Sequence, residues 1–193
     1  MARPTDETKL DAIKKAAIQL VVEQGISGAS IAQIARKAKV SDGYLYRFYK
    51  GKRELLEDLF LERSGGIYDL LEQQLRLHNT VSGIIRAFVV KVFASAAQEP
   101  EAICFYHKLL NDFSFEIPEK IKEANSALCR AILDLGQASG EIRAGVSPEH
   151  FFSVVTGGTL QFVMIRLRMV FQPKPLDQED AEHQIEIILK ALQ

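Results

Sequence analysis

Between Ser30 and Arg53 the chain gathers hydrogen-bonding and cationic side chains at a spacing suited to recognising a polyanion. Ser41, Asp42, Gly43, Tyr44, Tyr46 and Arg47 lie close together, and Lys50, Lys52 and Arg53 follow at once. A helix that begins with small and hydrogen-bonding residues fits a DNA major groove. Cations just beyond it reach phosphates, which fix register without reading sequence. Gly43 would let the backbone approach a base pair.

Elsewhere the chemistry is thin. Cys104 and His107 are three residues apart, so one helix face could offer both to a metal, or use the thiol as a nucleophile. No second His-rich or Cys-rich element completes a ligand set, and no Gly-rich phosphate loop is present. The chain is therefore expected not to be an enzyme, with no metal and no cofactor. The other cysteine, Cys129, also sits in an apolar periodic segment. Free buried thiols in a reducing compartment are one reading; a Cys104–Cys129 redox pair is the other.

The chain has 193 residues, 47% hydrophobic and 25% charged, enough for one or two domains with a real core. No run approaches the ~20 uninterrupted apolar residues of a membrane span. No apolar stretch follows the N-terminal Met-Ala-Arg-Pro-Thr-Asp-Glu, so a cytoplasmic protein with no membrane partner is expected. Residues 1–53 carry eleven Lys/Arg against five Asp/Glu, a net +6, while the remainder carries thirteen against twenty, a net −7. A basic head on an acidic body is the footprint of a chain that meets polyanion at one end.

Periodicity is helical throughout, and the pattern predicts an all-α fold of about nine helices. Leu10, Ile13, Ala17, Leu20 and Val21 share one face of the first, which Gly25 stops. Ser30 with Gln33 forms a capping box for a second, short helix. Ser41 caps a third that runs to about Tyr49. From Lys52 a long helix carries Leu55, Leu56, Leu59 and Phe60, with Gly65-Gly66 placed to bend or end it. Val81 to Ala97 is a fifth. Pro100 and Pro118 open the next two. Ser147-Pro148 opens a long eighth helix to about Phe171, and Asp177 caps a ninth.

Residues 30–49 therefore read as a helix-turn-helix. Ala35 is small where two helices cross, Val40 plugs the space between them, and Leu45 faces inward. That leaves Asp42, Gly43, Tyr46 and Arg47 outward, with Tyr44 on the flank. Residues of about 8–56 resemble the DNA-binding domain of the tetracycline-repressor (TetR) family of bacterial regulators. Ser30-Ile-Ala-Gln-Ile-Ala35, Val40-Ser-Asp-Gly-Tyr-Leu-Tyr46 and Lys52-Arg-Glu-Leu-Leu56 carry the likeness.

The resemblance implies that Tyr46 touches phosphate or a thymine methyl and that Tyr44 and Arg47 lie over base edges. It also implies that Ser30 and Lys52 anchor the DNA backbone from two helix N-termini. Gln33 belongs to the same face, and Arg3, in the N-terminal arm, is a further candidate contact. Three positions depart from the family pattern. Lys39 stands where glycine is usual, Asp42 where a base is commoner, and Tyr44 is bulkier than the usual threonine. Asp42 either accepts from a cytosine amine or caps the helix.

Domains are expected at 1–51 for DNA binding and 52–193 for effector binding and dimerisation. The resemblance places a homodimer interface on the last two helices, with Val154, Gly157, Gly158, Phe162, Ile185 and Leu189 as candidates. Aromatics with a few polar points suit a pocket for an apolar or amphipathic small molecule. The candidate set is Phe88, Phe93, Tyr106, His107, Asn111, Phe113, Asn125, Phe152 and Gln161. The expected protein is a dimeric transcriptional regulator, commonly a repressor, that binds a palindromic double-stranded DNA operator and is released by a small effector. The competing classes are a helical protein-interaction module and a Cys/His redox or metal sensor without DNA readout.

Overall fold

The computed structural model describes residues 6–77, 80–171 and 173–193; Arg3 lies outside them. Every regular element among these residues is helical: α1 (Asp6–Gly28), α2 (Ile31–Lys37), α3 (Asp42–Leu45), α4 (Lys52–Leu77), α5 (Val81–Gln98), α6 (Pro100–Asn111), α7 (Glu119–Ser139), α8 (Pro148–Phe152), a π-helical turn (Ser153–Gly157), α9 (Gly158–Leu167) and α10 (Gln178–Leu192). With α8, the π turn and α9 taken as one continuous run, the described residues hold nine helical runs, the expected number.

The chain divides into two compact units, the first of residues 1–63 and 101–118, the second of residues 64–100 and 119–193. This packing division lies beyond residue 51, because the start of α4 buries Leu55, Leu56, Leu59 and Phe60. α6 joins the first unit: Tyr106 stacks on Phe60 at 4.9 Å between ring centroids, and Phe115 tilts against the same ring at 5.2 Å. Gly25 interrupts α1 with φ 78°, a left-handed value that glycine adopts without a Cβ clash. α4 does not end at Gly65-Gly66.

In the second unit α5 packs against α10, α9 and α7. It is long and apolar enough to cross a membrane by length and composition. Its Ile84, Ile85, Phe88, Val89, Val92 and Phe93 are buried in this core. Gly136 sets how closely α7 approaches: a Cβ there would lie 2.6 Å from the Ile142 side chain and 2.8 Å from that of Val81. Both oxygens of Glu141 accept from the first amides of α5, Val81 and Ser82, at 3.0 Å each. Arg143 closes the other end of the unit, donating to the Leu192 and Ala191 carbonyls at the end of α10. The long eighth helix of the sequence reading continues through the π turn and ends at Leu167, short of Phe171. At the π turn the Thr159 hydroxyl, fully buried, donates to the Val155 carbonyl at 2.6 Å, a side-chain bond that competes with the helical ladder.

Candidate nucleic-acid interface

The capping box opens α2 as expected. Gln33 N–H donates to Ser30 Oγ at 3.3 Å, and Ser30 N–H donates to Gln33 Oε1 at 2.9 Å. α2 ends in a Schellman motif: Val40 N–H donates to the Ala35 carbonyl and Lys39 N–H to the Arg36 carbonyl, with Lys39 at φ 57°. A non-glycine residue in this conformation stores about 1 kcal/mol. The strain persists because Ala35 and Leu45, both fully buried, fix the two helices on either side.

Ser41 then caps α3, its Oγ accepting from Tyr44 N–H at 3.2 Å. The cap is thus Ser41 and not Asp42, whose carboxylate lies exposed in the first turn, where the helix dipole favours it. α3 itself ends at Leu45, earlier than expected. Turns carry the chain on, and Tyr49 N–H still donates to the Leu45 carbonyl at 3.1 Å.

The face is what the sequence required. Leu45 is fully buried, Tyr46 is 55% exposed, and Asp42, Gly43 and Arg47 are exposed. Nothing lies within 4 Å of where a Gly43 Cβ would stand. Among the described residues Arg36, Lys39 and Lys50 have no ion-pair partner and are exposed.

Three features were not foreseen. Tyr44 is half-buried, and its hydroxyl donates to Asp6 Oδ1 at 2.8 Å; partial desolvation, then this carboxylate, pushes the phenol pKa up. The Lys52 ammonium donates to the Ile26 carbonyl at 2.7 Å, which ties the end of α1 to the start of α4. One of the three ammonium donors of Lys52 is thus used within the chain. Tyr49, buried, donates to Asp58 Oδ2 at 2.8 Å, and Lys14 pairs with Glu62 at 2.5 Å and Asp58 at 3.6 Å. This network welds α1, the end of the helix-turn-helix and α4 together. Its members lie too far apart in sequence for spacing to reveal it.

The aromatic candidates for an effector pocket are dispersed. Tyr106 belongs to the Phe60 stack of the first unit. His107, Asn111 and Phe113 line an open depression of about 520 Å³ with Gly25, Ile26, Lys108 and Asp112. Phe113 is fully exposed, because the Asp112 carboxylate accepts from Ser114 N–H and Oγ and turns the chain there. Phe88 and Phe93 are core residues of the second unit, Phe93 stacking on Phe162 at 5.7 Å. Asn125 and Phe152 line a second depression of about 280 Å³ with Cys129 and Pro148. Asn125 also accepts from the Tyr68 hydroxyl at 2.7 Å. Gln161 is exposed.

Of the interface candidates, Ile185 is 2% exposed and so already packed within its own chain, while Ile187 on the same helix is 62% exposed. Gly158 faces Gln184 of α10, where a Cβ would lie 3.5 Å from Nε2, an ordinary van der Waals contact. Val154, Gly157, Phe162 and Leu189 are part-exposed. Burial raises both thiols, that of Cys129 to about 11, so neither is a ready thiolate.

Among the described residues, a capped, outward α3 set on a small-residue crossing with α2 has the geometry of a helix-turn-helix. Residues 13–59 match the family of bacterial regulatory proteins, tetR family. The chain is 27% identical over 134 residues to the fatty acid metabolism regulator protein of Bacillus subtilis (strain 168), covering 68% of this chain and 69% of that one. It is 25% identical over 203 residues to the HTH-type transcriptional regulator YvkB of the same organism, covering 98% of each. The fold is similar to that of the transcriptional regulator FadR from Bacillus subtilis, solved in complex with stearoyl-CoA. That similarity has a TM-score of 0.77 and 22% identity over 95% of this chain and 99% of the other. The helix-turn-helix segment at residues 13–59 is that of the tetR family of bacterial regulatory proteins, and along nearly its whole length the chain is similar to an HTH-type transcriptional regulator.

Proposed function

We propose that this regulator binds a palindromic DNA operator as a homodimer, acts as a repressor, and is released by an apolar or amphipathic small molecule. The observation that carries the DNA reading is the exposure of Tyr46 and Arg47 beside a fully buried Leu45 on a Ser41-capped helix. Gly43, Asp42, Lys50 and the Ser30–Gln33 cap complete the face. Residues 1–51 supply this DNA-binding part, and 52–193 supply effector binding and dimerisation. The part-exposed Val154, Gly157, Phe162 and Leu189, with Ile187, support a two-fold contact through α9 and α10. A dimer built that way presents two recognition helices about one DNA turn (~34 Å) apart.

For the effector, the names of the relatives supply a chemical class: a fatty acid metabolism regulator, and a FadR solved with stearoyl-CoA. A long-chain fatty acyl thioester is the first candidate. The aromatic composition of the second unit, with the Tyr68–Asn125 hydrogen bond as a polar point, is compatible with an acyl chain. An effector releases DNA only by the difference in its affinity for free and DNA-bound protein.

Selection of bound sequences from a random duplex library tests the reading. A palindrome, bound with an affinity that falls steeply with salt, is expected. Titrating that complex with a C18 acyl-CoA should dissociate it. Absence of any selected motif contradicts the DNA reading; a motif with no response to the thioester contradicts the effector class alone.

A further inference from the structure

We propose that Asp6, in the first turn of α1, is a positioning residue for base reading: through Tyr44 it holds the Arg47 guanidinium in the orientation that meets a base pair. The inference rests on α3 being the groove element. The Tyr44 hydroxyl donates to Asp6 Oδ1 at 2.8 Å and lies 3.5 Å from the Asp6 carbonyl oxygen. This bond joins the start of α1 to the recognition helix and fixes the Tyr44 ring.

The Arg47 guanidinium carbon lies 5.4 Å from the centroid of that ring and 5.8 Å from that of Phe48. The two rings are 5.3 Å apart and tilted by 57°. Arg47 thus rests in a notch between two aromatic rings, and the Lys9 ammonium sits 4.9 Å from the Tyr44 centroid. A guanidinium held against aromatic rings keeps its planar fork pre-oriented and loses less freedom on binding than a free one. That fork matches guanine O6 and N7 in the major groove. An exposed carboxylate beside a DNA-facing helix would by itself repel phosphate. Its grip on Tyr44 accounts for its place there.

The test compares wild-type protein with Asp6→Ala, Asp6→Asn, Tyr44→Phe, Arg47→Ala and the Asp6→Ala/Arg47→Ala double variant. Each is put through selection from a random duplex library and competition between the selected site and its single-base variants. Asp6→Ala and Tyr44→Phe should each lose about fivefold or more discrimination at one base pair per half-site. Binding of Asp6→Ala to random DNA should be kept or strengthened. Asp6→Asn, whose amide oxygen still accepts from the phenol, should keep the discrimination, and Asp6→Ala should add nothing to Arg47→Ala.

Wild-type discrimination in Asp6→Ala, or a loss that adds in full to that of Arg47→Ala, overturns the proposal. Should Asp6→Ala fail to fold by circular dichroism, unchanged discrimination in Tyr44→Phe overturns it. A wild-type protein that selects no motif defeats the DNA reading instead. Variants that simply follow the wild type on a selected motif defeat this inference alone.

Discussion

In the first unit Lys39 and Lys50 stand exposed with no ion-pair partner among the described residues, and Arg47 lies exposed on two aromatic rings. In the second unit several charged groups are committed to the chain itself. Glu141 holds the start of α5, Arg143 the end of α10, and Arg166 pairs with a buried Asp180 at 2.6 Å. A surface that must bind a polyanion leaves its cations for the partner. A helical body with many buried helix ends uses its charges to satisfy orphan backbone groups, each left unpaired at a cost of about 1–3 kcal/mol. Substitutions in the first class should therefore change binding and leave stability, and those in the second should do the reverse.

The largest effect should come from Gly136→Val in the second unit. Its side chain would have to displace Ile142 and Val81, so unfolding free energy in urea should fall by about 3 kcal/mol, while the folded fraction keeps its DNA affinity. Next, Arg47→Ala should weaken operator binding by roughly tenfold or more with no shift in Tm. A lowered Tm there would break the contrast.

Glu141→Ala should lose about 1–2 kcal/mol by freeing two amides. Although burial pushes the Glu141 carboxyl up, the amides of Ser82 and Val81 hold it below the ordinary carboxylate value. Its contribution is therefore present above the unfolded-state pKa and is lost as pH falls through the lower folded-state pKa. Denaturation followed from pH 6 to pH 3 should show an acid-side loss that Glu141→Gln lacks. The smallest effect is an exception to that division, because Lys39 is strained in its backbone as well as exposed: Lys39→Gly should stabilise by about 1 kcal/mol by relieving the left-handed lysine, with a modest loss of DNA affinity.

The helix-turn-helix was legible because its determinants are local. The capping box spans four residues, the turn at Lys39 follows from its place between two stripes, and Leu45 announces its burial by spacing. The Asp6–Tyr44 and Lys52–Ile26 bonds were not legible, since side chains from remote elements meet only once the helices have packed. The aromatics of the body misled for a related reason. Composition cannot distinguish Tyr106, stacked in a core, from Phe113, turned out to solvent by an Asp112–Ser114 turn. Ile185 and Ile187 are two residues apart on one helix, and only the packed faces of α5 and α10 decide that the first is covered and the second open.

Guanine N7 protection against dimethyl sulfate, measured on the selected duplex, addresses the recognition helix most directly. Two symmetric protected patches about one helical turn apart, lost at a defined guanine in Arg47→Ala, are the predicted result. Tight binding with no major-groove protection, or a pattern indifferent to Tyr46→Ala and Arg47→Ala alike, would contradict the account.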